Sequence, residues 1–376
     1  MKEISLYIHI PFCKQRCFYC DFPTFAGREK FREDYINALV KEIESKCSNY
    51  IIKTIFIGGG TPSHLEVKEL EKLLSCVEKL NLSENVEYSI ECNPGTVNEE
   101  KLMLMKNYGV NRLSFGLQSC DDKLLKRIGR IHTFNEFLEN YKLARKIGFT
   151  NINVDLMYGL PNLTIEIWKY TLEKICELKP EHISAYSLII EEGTAFYSLY
   201  EKNKLEIPSE DDERIMDKMT KDILKKYGYH QYEISNFALP EKECEHNKVY
   251  WSLGEYIGVG LASSSYIDGY RLVNIDDMNE YIKRVENNDN VVMEKHKNSR
   301  EDEIEEFIFM GLRMLSGISL SKFNKKFGVD INSIYEHVIE KNIREGLLVV
   351  KDDFMYLTSK GIELSNIVMS DFILDK

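Results

Sequence analysis

Residues 7–22 read Tyr-Ile-His-Ile-Pro-Phe-Cys-Lys-Gln-Arg-Cys-Phe-Tyr-Cys-Asp-Phe, and the interpretation of the whole chain starts from this stretch. An apolar segment leads into three cysteines, Cys13, Cys17 and Cys20, with the spacing C-x3-C-x2-C. Three thiolates this close together can bind three irons of one [4Fe-4S] cluster, which leaves the fourth iron with an open position. Three unrelated thiols or a zinc site are the alternatives, but structural zinc normally has four ligands, usually in C-x2-C pairs. The spacing therefore favours an iron–sulfur cluster.

Six short apolar runs alternate with helical patterns through the first half of the chain. Between the runs, apolar residues recur three or four positions apart, as in Phe31, Tyr35, Leu39 and Ile43, which is typical of amphipathic helices. This alternation predicts right-handed βαβ units and a parallel sheet. Six units predict an α/β fold with a partial (β/α)6 barrel, open where eight units would close it. The apolar runs are 4–10, 54–57, 87–92, 112–115, 151–157 and 182–188.

Distinctive polar or glycine-rich residues follow five consecutive predicted strands. In parallel α/β barrels the reactive groups gather at the carboxyl ends of the strands. We therefore expect these residues to meet at one rim and to form one site. They are the three cysteines, Gly58-Gly59-Gly60-Thr61-Pro62, Glu91-Cys92-Asn93-Pro94, Gly116-Leu117-Gln118-Ser119, and Asp155 with Tyr158-Gly159-Leu160-Pro161.

The second half of the chain predicts a smaller α+β region. Ser209 can cap a charged helix that runs to about Lys226, and residues 229–234 have the pattern of a strand. From about residue 300 the chain reads as helices, a short hairpin around Asp352-Asp353 and a last helix. This order predicts a winged-helix-like module, for which a packing or lid role is favoured over DNA binding.

The net charge and the cysteine content limit which binding partners and which cellular compartment are expected for this chain. The 376-residue chain has a formal net charge of −12, which argues against nonspecific nucleic-acid binding. No apolar run approaches a membrane span, and the first predicted strand begins without a signal-peptide pattern. Nine cysteines, an odd number, fit a reducing compartment better than a disulfide framework. We therefore expect a cytoplasmic protein with no membrane span, for which peripheral contact with a membrane stays open.

Taken together, the motifs resemble the radical-SAM superfamily and, within it, the coproporphyrinogen III oxidase-like branch. The resemblance covers the whole length and includes the segments Asp-Leu-Met-Tyr-Gly-Leu-Pro (155–161) and Tyr-Glu-Ile-Ser-Asn-Phe-Ala (232–238). We expect a radical-SAM core domain in residues 1–235, a connecting region in 236–299 and a C-terminal winged-helix-like domain in 300–376. The resemblance implies a [4Fe-4S] cluster and S-adenosylmethionine (SAM), whose C–S bond is broken by an electron from the cluster to give a 5'-deoxyadenosyl radical.

The same resemblance implies cofactor contacts residue by residue. Gly59, Gly60 and Thr61 match contacts to the methionine part of SAM, and glycine lets the backbone approach a ligand closely. Carboxylates suit ribose hydroxyls, and arginine suits a carboxylate. A βα turn, ordinary barrel packing, or surface and capping roles are the alternatives at these positions. The remaining matches are Tyr7, Tyr19, Glu91, Gln118, Arg130 and Asp155.

A second constellation lies outside the predicted barrel, in Cys244-Glu-His246-Asn247-Lys-Val-Tyr250-Trp251. It matches the His-Asn-x-x-Tyr-Trp motif of the branch, which the resemblance implicates in heme handling. Imidazole and thiolate can ligate heme iron, and the aromatic rings can stack on a porphyrin. The alternative is a structural corner with a hydrogen-bonded histidine. Relatives often carry Gly-Ala-His-Ser where residues 262–265 read Ala-Ser-Ser-Ser, so that position offers no histidine ligand here.

Two departures separate this chain from the oxygen-independent coproporphyrinogen III oxidase type. The oxidase carries a fourth cysteine one residue beyond the cluster motif, whereas Asp21-Phe22 follows Cys20 here. The oxidase also has a sizeable N-terminal arm, whereas six residues precede Tyr7. The resemblance is therefore closest to the heme chaperone type, which implies heme, an unknown heme-acceptor protein and an electron donor as partners. Oxidative decarboxylation of coproporphyrinogen III to protoporphyrinogen IX, or another radical-SAM reaction, stays open.

Overall fold

The computed structural model describes residues 1–374, whose strands form a twelve-stranded sheet, a three-stranded sheet and a short parallel pair. The strands are β1 (Lys2–Ile10), β2 (Phe12–Cys13), β3 (Phe25–Ala26), β4 (Tyr50–Gly59), β5 (Leu82–Cys92), β6 (Arg112–Gln118), β7 (Ile152–Tyr158), β8 (His182–Ser187), β9 (His230–Gln231), β10 (Asn236–Ala238), β11 (Tyr256–Val259), β12 (Ser264–Ile267), β13 (Tyr270–Asn274), β14 (Val292–Lys297), β15 (Ile318–Ser319), β16 (Leu348–Lys351) and β17 (Phe354–Leu357).

Helices fill most of the connections between these strands. They are α1 (Arg32–Cys47), α2 (Val67–Glu78), α3 (Glu99–Asn107), α4 (Asp122–Arg127), α5 (Phe134–Ile147), α6 (Ile165–Leu178), α7 (Ala195–Tyr200), α8 (Glu210–Lys226), α9 (Glu245–Trp251), α10 (Met278–Glu286), α11 (Arg300–Gly311), α12 (Leu320–Phe327), α13 (Asn332–Arg344), α14 (Ser359–Glu363) and α15 (Ser365–Ser370). None of the helices within residues 1–374 is long and apolar enough to cross a bilayer.

The predicted partial (β/α)6 barrel is confirmed. Strands β1, β4, β5, β6, β7 and β8 are hydrogen-bonded in this order, and every pairing is parallel. Parallel neighbours need a crossover connection, and helices α1, α2, α3, α4 with α5, and α6 provide the five crossovers. The sheet continues beyond both ends of this set and does not close on itself.

The apolar stripes of the helices are buried against this sheet. Tyr35 and Leu39 of α1, and Leu70 and Leu73 of α2, have no exposed surface. Burying a side chain of this size stabilises the fold by about 1.5–3 kcal/mol relative to leaving it in water. Local signals also set the helix ends, since Ser209 accepts a hydrogen bond from the Asp212 amide at the start of α8, as its position predicts.

Residues 236–299, predicted as a connecting region, extend the sheet at both of its ends. Strand β11 pairs in parallel with β1 and is followed by antiparallel β12, β13 and β14, whereas β10 pairs antiparallel with β8. The predicted strand over 229–234 is wrong in extent, because only His230–Gln231 is a strand. The chain then turns back, and the Tyr232 amide donates to the Asn236 carbonyl.

The C-terminal part of the described chain has its own apolar core, built from Ile304 to Phe372 and separate from the barrel core. Helices α11 to α15 surround the three-stranded antiparallel sheet β15-β17-β16, whose hairpin turns at Asp352-Asp353. The division into regions 1–235, 236–299 and 300–376 stays a prediction, and residues 375–376 of the last region lie outside the described residues.

Candidate functional site

A cavity of about 800 Å³, the cofactor cavity, opens at the carboxyl ends of the barrel strands. It collects residues from the loop after β1 and from the ends of β4, β5, β6 and β7, as the strand-end rule predicts. Of the predicted cofactor residues, only Tyr7 lies outside this lining, and it lines an adjoining cavity. The predicted residues in the lining are Cys13, Cys17, Tyr19, Cys20, Gly59, Gly60, Thr61, Glu91, Gln118, Arg130 and Asp155.

The cysteine loop is tied down on both sides. Strand β2 pairs with β3, so that residues 14–24 form a loop over the rim whose two ends are held together. The Cys20 amide donates to the Cys17 carbonyl at 3.2 Å, and the Phe18 amide donates to the Ile128 carbonyl at 3.0 Å. In residues 1–374, no three His, Cys, Asp or Glu side chains converge as one metal ion requires. A [4Fe-4S] cluster can take one thiolate on each of three irons, whereas structural zinc normally has four ligands, so the three cysteines of this loop fit a cluster better than zinc.

Hydrogen-bond donors face the sulfur atoms from the barrel side. Thr61 Oγ1 donates to Cys13 Sγ at 3.6 Å, and a guanidinium nitrogen of Arg130 donates to Cys17 Sγ at 3.6 Å. Burial raises the pKa of Cys13 to about 11, so this thiol favours its neutral form until a cation is nearby. Arg130 also donates to Asn93 Oδ1 at 2.7 Å and to the Gly116 carbonyl, while its Nε has no partner among the described residues. A negatively charged, thiolate-bound cluster fits this donor set.

Two glycines let the backbone line the cavity. Gly59 has a φ of +113°, and a Cβ there would lie 2.5 Å from the His9 ring. A Cβ on Gly60 would lie 2.9 Å from the Phe12 carbonyl oxygen and 3.0 Å from Cys13 Sγ. A side chain at either position would therefore clash or fill the space beside the cysteines. This cradle fits a cofactor that reaches the cluster from the side of β4.

Two carboxyl groups face the same cavity from neighbouring parts of the sheet. Glu91 accepts from the Gly59 amide at 3.1 Å, and Asp155 accepts from Asn153 Nδ2 at 2.7 Å and Ser114 Oγ at 3.3 Å. Burial, followed by the charge of Asp155, raises the pKa of Glu91 to about 8. Burial also raises the pKa of Asp155. Both groups can accept hydrogen bonds from ribose hydroxyls, which is the role that the resemblance implies.

Gln118 is held in an uncommon backbone conformation. Its φ is +74° and it follows a register shift between β6 and β7, so that its side chain turns into the cavity. Its Oε1 accepts from the Tyr186 hydroxyl at 3.3 Å. A non-glycine residue with positive φ is uncommon and costs energy, and here it directs a polar side chain into the cavity.

Several lining residues were not identified from the sequence. Asn93 and Gly116 are not among these, because both stand in motifs that were expected at this rim. Ser114 and Tyr186 lie at alternate positions of strands β6 and β8. Polar residues alternating with apolar ones in a parallel strand, which is normally apolar on both faces, were the missed signal.

The second constellation lies toward the amino ends of the strands, on the far side of the barrel interior. Helix α9 begins where Glu87 accepts hydrogen bonds from the Glu245 and His246 amides, both at 2.9 Å. His246 is 1% exposed, and its ring nitrogens lie 2.7 Å from Thr54 Oγ1 and 2.8 Å from the Tyr250 hydroxyl. Burial lowers the pKa of His246 to about 3. Both nitrogens are therefore engaged, and iron ligation by His246 stays a prediction that requires one of these bonds to open.

The other residues of the motif face different spaces. Asn247 lines a cavity of about 990 Å³ in the barrel interior, which shares Glu91 and Asp155 with the cofactor cavity. Trp251 lines a groove of about 1020 Å³ between α9 and the C-terminal part, together with Phe307 and Phe354. The Arg313 guanidinium lies 4.4 Å from the centroid of the Trp251 ring.

Comparison with known proteins gives matches over the whole chain. The Radical SAM superfamily matches residues 7–175, and the HemN C-terminal domain matches residues 298–364. The heme chaperone HemW of Bacillus subtilis is 38% identical over 374 residues, which cover 98% of this chain and 99% of that protein. The heme chaperone HemW of Lactococcus lactis is 39% identical over 375 residues, which cover 100% of this chain and 98% of that protein.

A solved structure gives an independent comparison of the fold. Coproporphyrinogen III oxidase (HemN) from Escherichia coli superposes with a TM-score of 0.87 at 23% identity, covering 99% of this chain and 90% of that one. Identity this low speaks for the fold alone.

Proposed function

We propose that this chain, which belongs to the radical-SAM superfamily and to its coproporphyrinogen III oxidase-like branch, is a heme chaperone that binds heme and passes it to an acceptor protein. The observation that carries the proposal is full-length identity of 38% and 39% to proteins named heme chaperone HemW. The chain also departs from the oxidase pattern, because Asp21-Phe22 follows Cys20. Membership of the superfamily assigns it a [4Fe-4S] cluster and SAM as cofactors.

In this proposal Cys13, Cys17 and Cys20 hold the cluster, which supplies an electron when bound. Thr61 and Arg130 stabilise the thiolates by donating to sulfur. The open space beside Gly59 and Gly60 takes the methionine part of SAM. Glu91 and Asp155 accept from its ribose, and Phe22, which is 59% exposed, contributes an aromatic ring to the lining of the same cavity.

In this proposal heme binds in the groove beside Trp251. Its aromatic walls, Trp251, Phe307 and Phe354, suit a flat porphyrin, and Lys322 at its edge suits a propionate. The Trp251 indole N–H is buried without a partner among the described residues. His246 would then act by positioning α9, since Thr54 and Tyr250 occupy its ring nitrogens.

The proposal also includes two partner proteins and a cellular compartment. Heme transfer requires an acceptor protein, and the cluster requires an electron donor. A cytoplasmic location is supported by nine free cysteines among the described residues, because a reducing compartment keeps thiols free.

Heme titration of the cluster-reconstituted protein tests the proposal. We expect saturable binding of one heme per chain, with affinity reduced at least tenfold by Trp251→Ala, because the porphyrin loses a stacking face. Tyr170→Ala, which removes an exposed aromatic ring on α6, is the matched control and should leave heme affinity unchanged. Absence of saturable heme binding in the unaltered protein would overturn the chaperone function.

Coproporphyrinogen III oxidase is the second candidate, and the interior cavity next to the cofactor cavity favours it. That space shares Gly59, Glu91 and Asp155 with the cofactor cavity, so a substrate there would adjoin SAM. We expect no protoporphyrinogen IX from the unaltered protein with SAM and a reductant, and no rescue of an oxidase-deficient strain grown without oxygen. Turnover in the first assay would make the oxidase the function.

A further inference from the structure

A series of buried polar side chains runs from the carboxylate of Asp155 toward the start of helix α9. Asn153, two positions before Asp155 on β7, is 2% exposed, and His182, its neighbour on β8, has no exposed surface. Tyr232, from the turn between β9 and β10, is 4% exposed. Polar groups buried this deeply are costly unless they are hydrogen-bonded. Their hydrogen bonds therefore decide how each of these side chains is held.

Every step of this series has the distance of a hydrogen bond. Asn153 Nδ2 lies 2.7 Å from Asp155 Oδ1, and Asn153 Oδ1 lies 2.7 Å from His182 Nδ1. On the other side of its ring, His182 Nε2 lies 2.9 Å from the Tyr232 hydroxyl, which is 3.3 Å from the Cys244 backbone nitrogen. Cys244 directly precedes α9. The series therefore joins the cofactor cavity, which Asp155 lines, to the start of α9.

The Cys244 amide sets the direction of every hydrogen bond in the series, because a backbone N–H can only donate. The Tyr232 oxygen accepts from this amide, so its hydroxyl hydrogen is left for His182 Nε2. Burial lowers the pKa of His182 well below its ordinary value, so the ring is neutral and carries its one proton on Nδ1. That proton is donated to the Asn153 oxygen, which leaves the Asn153 amide nitrogen to donate to Asp155.

This direction holds the Asp155 carboxylate in one orientation at the cofactor cavity. Ser114 Oγ donates to its Oδ2 at 3.3 Å, and the Asn153 nitrogen donates to its Oδ1 at 2.7 Å. The Asn153 amide cannot flip, because the His182 ring and the Ser184 hydroxyl both donate to its oxygen. A flipped amide would set two donors against each other at His182 and two acceptors against each other at the Asp155 carboxylate. His182 therefore determines which atom of Asn153 faces Asp155.

We propose that His182 is a positioning residue for SAM, which acts through Asn153 to hold the Asp155 carboxylate in place for the ribose hydroxyls. This role rests on the proposed function, in which Asp155 is a SAM contact. The His182 ring itself stays away from the cofactor, because it has no exposed surface and Asn153 stands between it and Asp155. An acceptor that is already ordered binds more tightly than a mobile one, since less side-chain freedom is lost on binding.

Two amide replacements of His182 separate positioning from packing. In His182→Asn the amide nitrogen can stand where Nδ1 stands, because both are bonded to Cγ, whereas in His182→Gln the amide stands near the position of Nε2. Calorimetric titration of the cluster-reconstituted protein with SAM measures the dissociation constant. We expect His182→Gln to weaken SAM binding about fivefold or more, and His182→Asn to stay within about twofold of the parent. A packing role predicts the reverse order, since glutamine fills more of the space of histidine.

Asp155→Ala tests the assumed SAM contact, and a double variant tests the route. Asp155→Ala should weaken SAM binding about tenfold or more. Adding His182→Gln to it should cause no further loss, because the two residues act through one series of hydrogen bonds. His230→Gln, which changes an exposed histidine of β9, is the matched control and should leave the affinity unchanged.

The outcomes distinguish the two levels of the proposal. Unchanged SAM affinity in Asp155→Ala would overturn the SAM contact of the proposed function together with the role of His182. A loss in Asp155→Ala without a loss in His182→Gln would overturn the role of His182 alone. An additive loss in the double variant would also overturn it, because His182 would then act by another route.

A spectrum of the unaltered protein decides the proposal if the His182 variants fail to fold. In cluster-reconstituted protein labelled with 15N in its histidine rings, we expect His182 to carry its proton on Nδ1 and not on Nε2. Contacts with the Tyr232 ring, whose centroid lies 5.6 Å from that of the His182 ring, identify its signals. A proton on Nε2 would mean that His182 cannot donate to Asn153, and the positioning role would fail.

Discussion

Residues around the cysteine loop differ in burial and in their hydrogen bonds. These differences determine the effect of replacing each of them. Cys13 is buried at the end of β2, whereas Cys17 and Cys20 are half-buried on the loop that follows. Arg130 and Thr61 hold the sulfur-facing side of the site through hydrogen bonds to Cys17 and Cys13. The loop backbone is bonded independently of any metal, so losing one thiol should remove the cluster without unfolding the loop.

We predict that Cys17→Ala removes most iron and sulfide from anaerobically reconstituted protein. A cluster with two remaining thiolate ligands lacks the coordination that three thiolates provide. Iron and sulfide analysis measures the effect, and Cys176→Ala, a buried cysteine of α6, should retain the full cluster content. A full complement of iron in Cys17→Ala would contradict the assignment.

Glu91 makes the stability of the cofactor-free protein depend on pH. Its folded pKa of about 8 lies above its ordinary value of 4.5, so the folded state keeps a proton that the unfolded state loses between these values. Stability should therefore fall as pH rises through this range.

We predict that Glu91→Gln flattens this decline, because glutamine stays neutral. Each tenfold difference in proton affinity between the folded and unfolded states is worth about 1.4 kcal/mol. At pH 8 the free energy of unfolding of Glu91→Gln should therefore exceed that of the parent by at most about 4 kcal/mol. Urea denaturation of the cofactor-free protein from pH 5 to pH 8 measures it. Glu100→Gln, an exposed carboxylate on α3, should leave the profile unchanged; parallel profiles for Glu91→Gln and the parent would contradict the buried-proton explanation.

At the scale of elements, helix α9 depends on a side chain from another element. It has seven residues and no side-chain cap from its own N-cap residue, Cys244. Glu87 of β5 takes that role by accepting from two of its first amides. A carboxylate at a helix start also interacts favourably with the helix dipole.

We predict that Glu87→Ala lowers the free energy of unfolding by about 1.5–3 kcal/mol, the usual cost of losing charge-assisted hydrogen bonds. Glu84→Ala changes the same residue type on the same strand, but at an exposed position, and should cost almost nothing. Denaturant titration of both variants gives the comparison. Equal stabilities would show that α9 is held by packing and not by Glu87.

At the scale of the whole molecule, the described chain has two separate apolar cores, and each one stabilises its own part of the chain. The barrel core carries the cofactor cavity, and the core from Ile304 to Phe372 carries one wall of the groove beside Trp251. Because the second core contributes no residue to the cofactor cavity, damage to it should spare the cluster.

We predict that Phe323→Ala destabilises the C-terminal part by about 3–5 kcal/mol, because this ring is fully buried against Phe307 and Phe327. Hydrogen exchange should accelerate within residues 304–372, while cluster absorbance and SAM affinity stay unchanged. Ile343→Ala, at a position 44% exposed, is the control with little expected effect. Loss of the cluster in Phe323→Ala would show that the two cores act as one unit.

The sequence by itself determined the barrel and most of the cofactor cavity. Strand and helix periodicities are local, and parallel strands must end at one rim, so Cys13, Gly59, Glu91, Gln118 and Asp155 could be placed in one cavity before any coordinates. The apolar stripes of α1 and α2 followed for the same reason, since each is set by residues three or four positions apart.

Only the tertiary structure decided what fills the interior and where α9 lies. His246 meets Thr54 across 192 positions of sequence, and no local pattern encodes that contact. Arg112 has the pattern of an ordinary strand residue, and only the fold shows that it is buried and that its Nε has no hydrogen-bond partner among the described residues. Trp251 likewise gains its groove only when the second core packs beside α9. Burial and pairing of charges depend on which distant elements meet, so the chemistry of the interior follows from the folded chain.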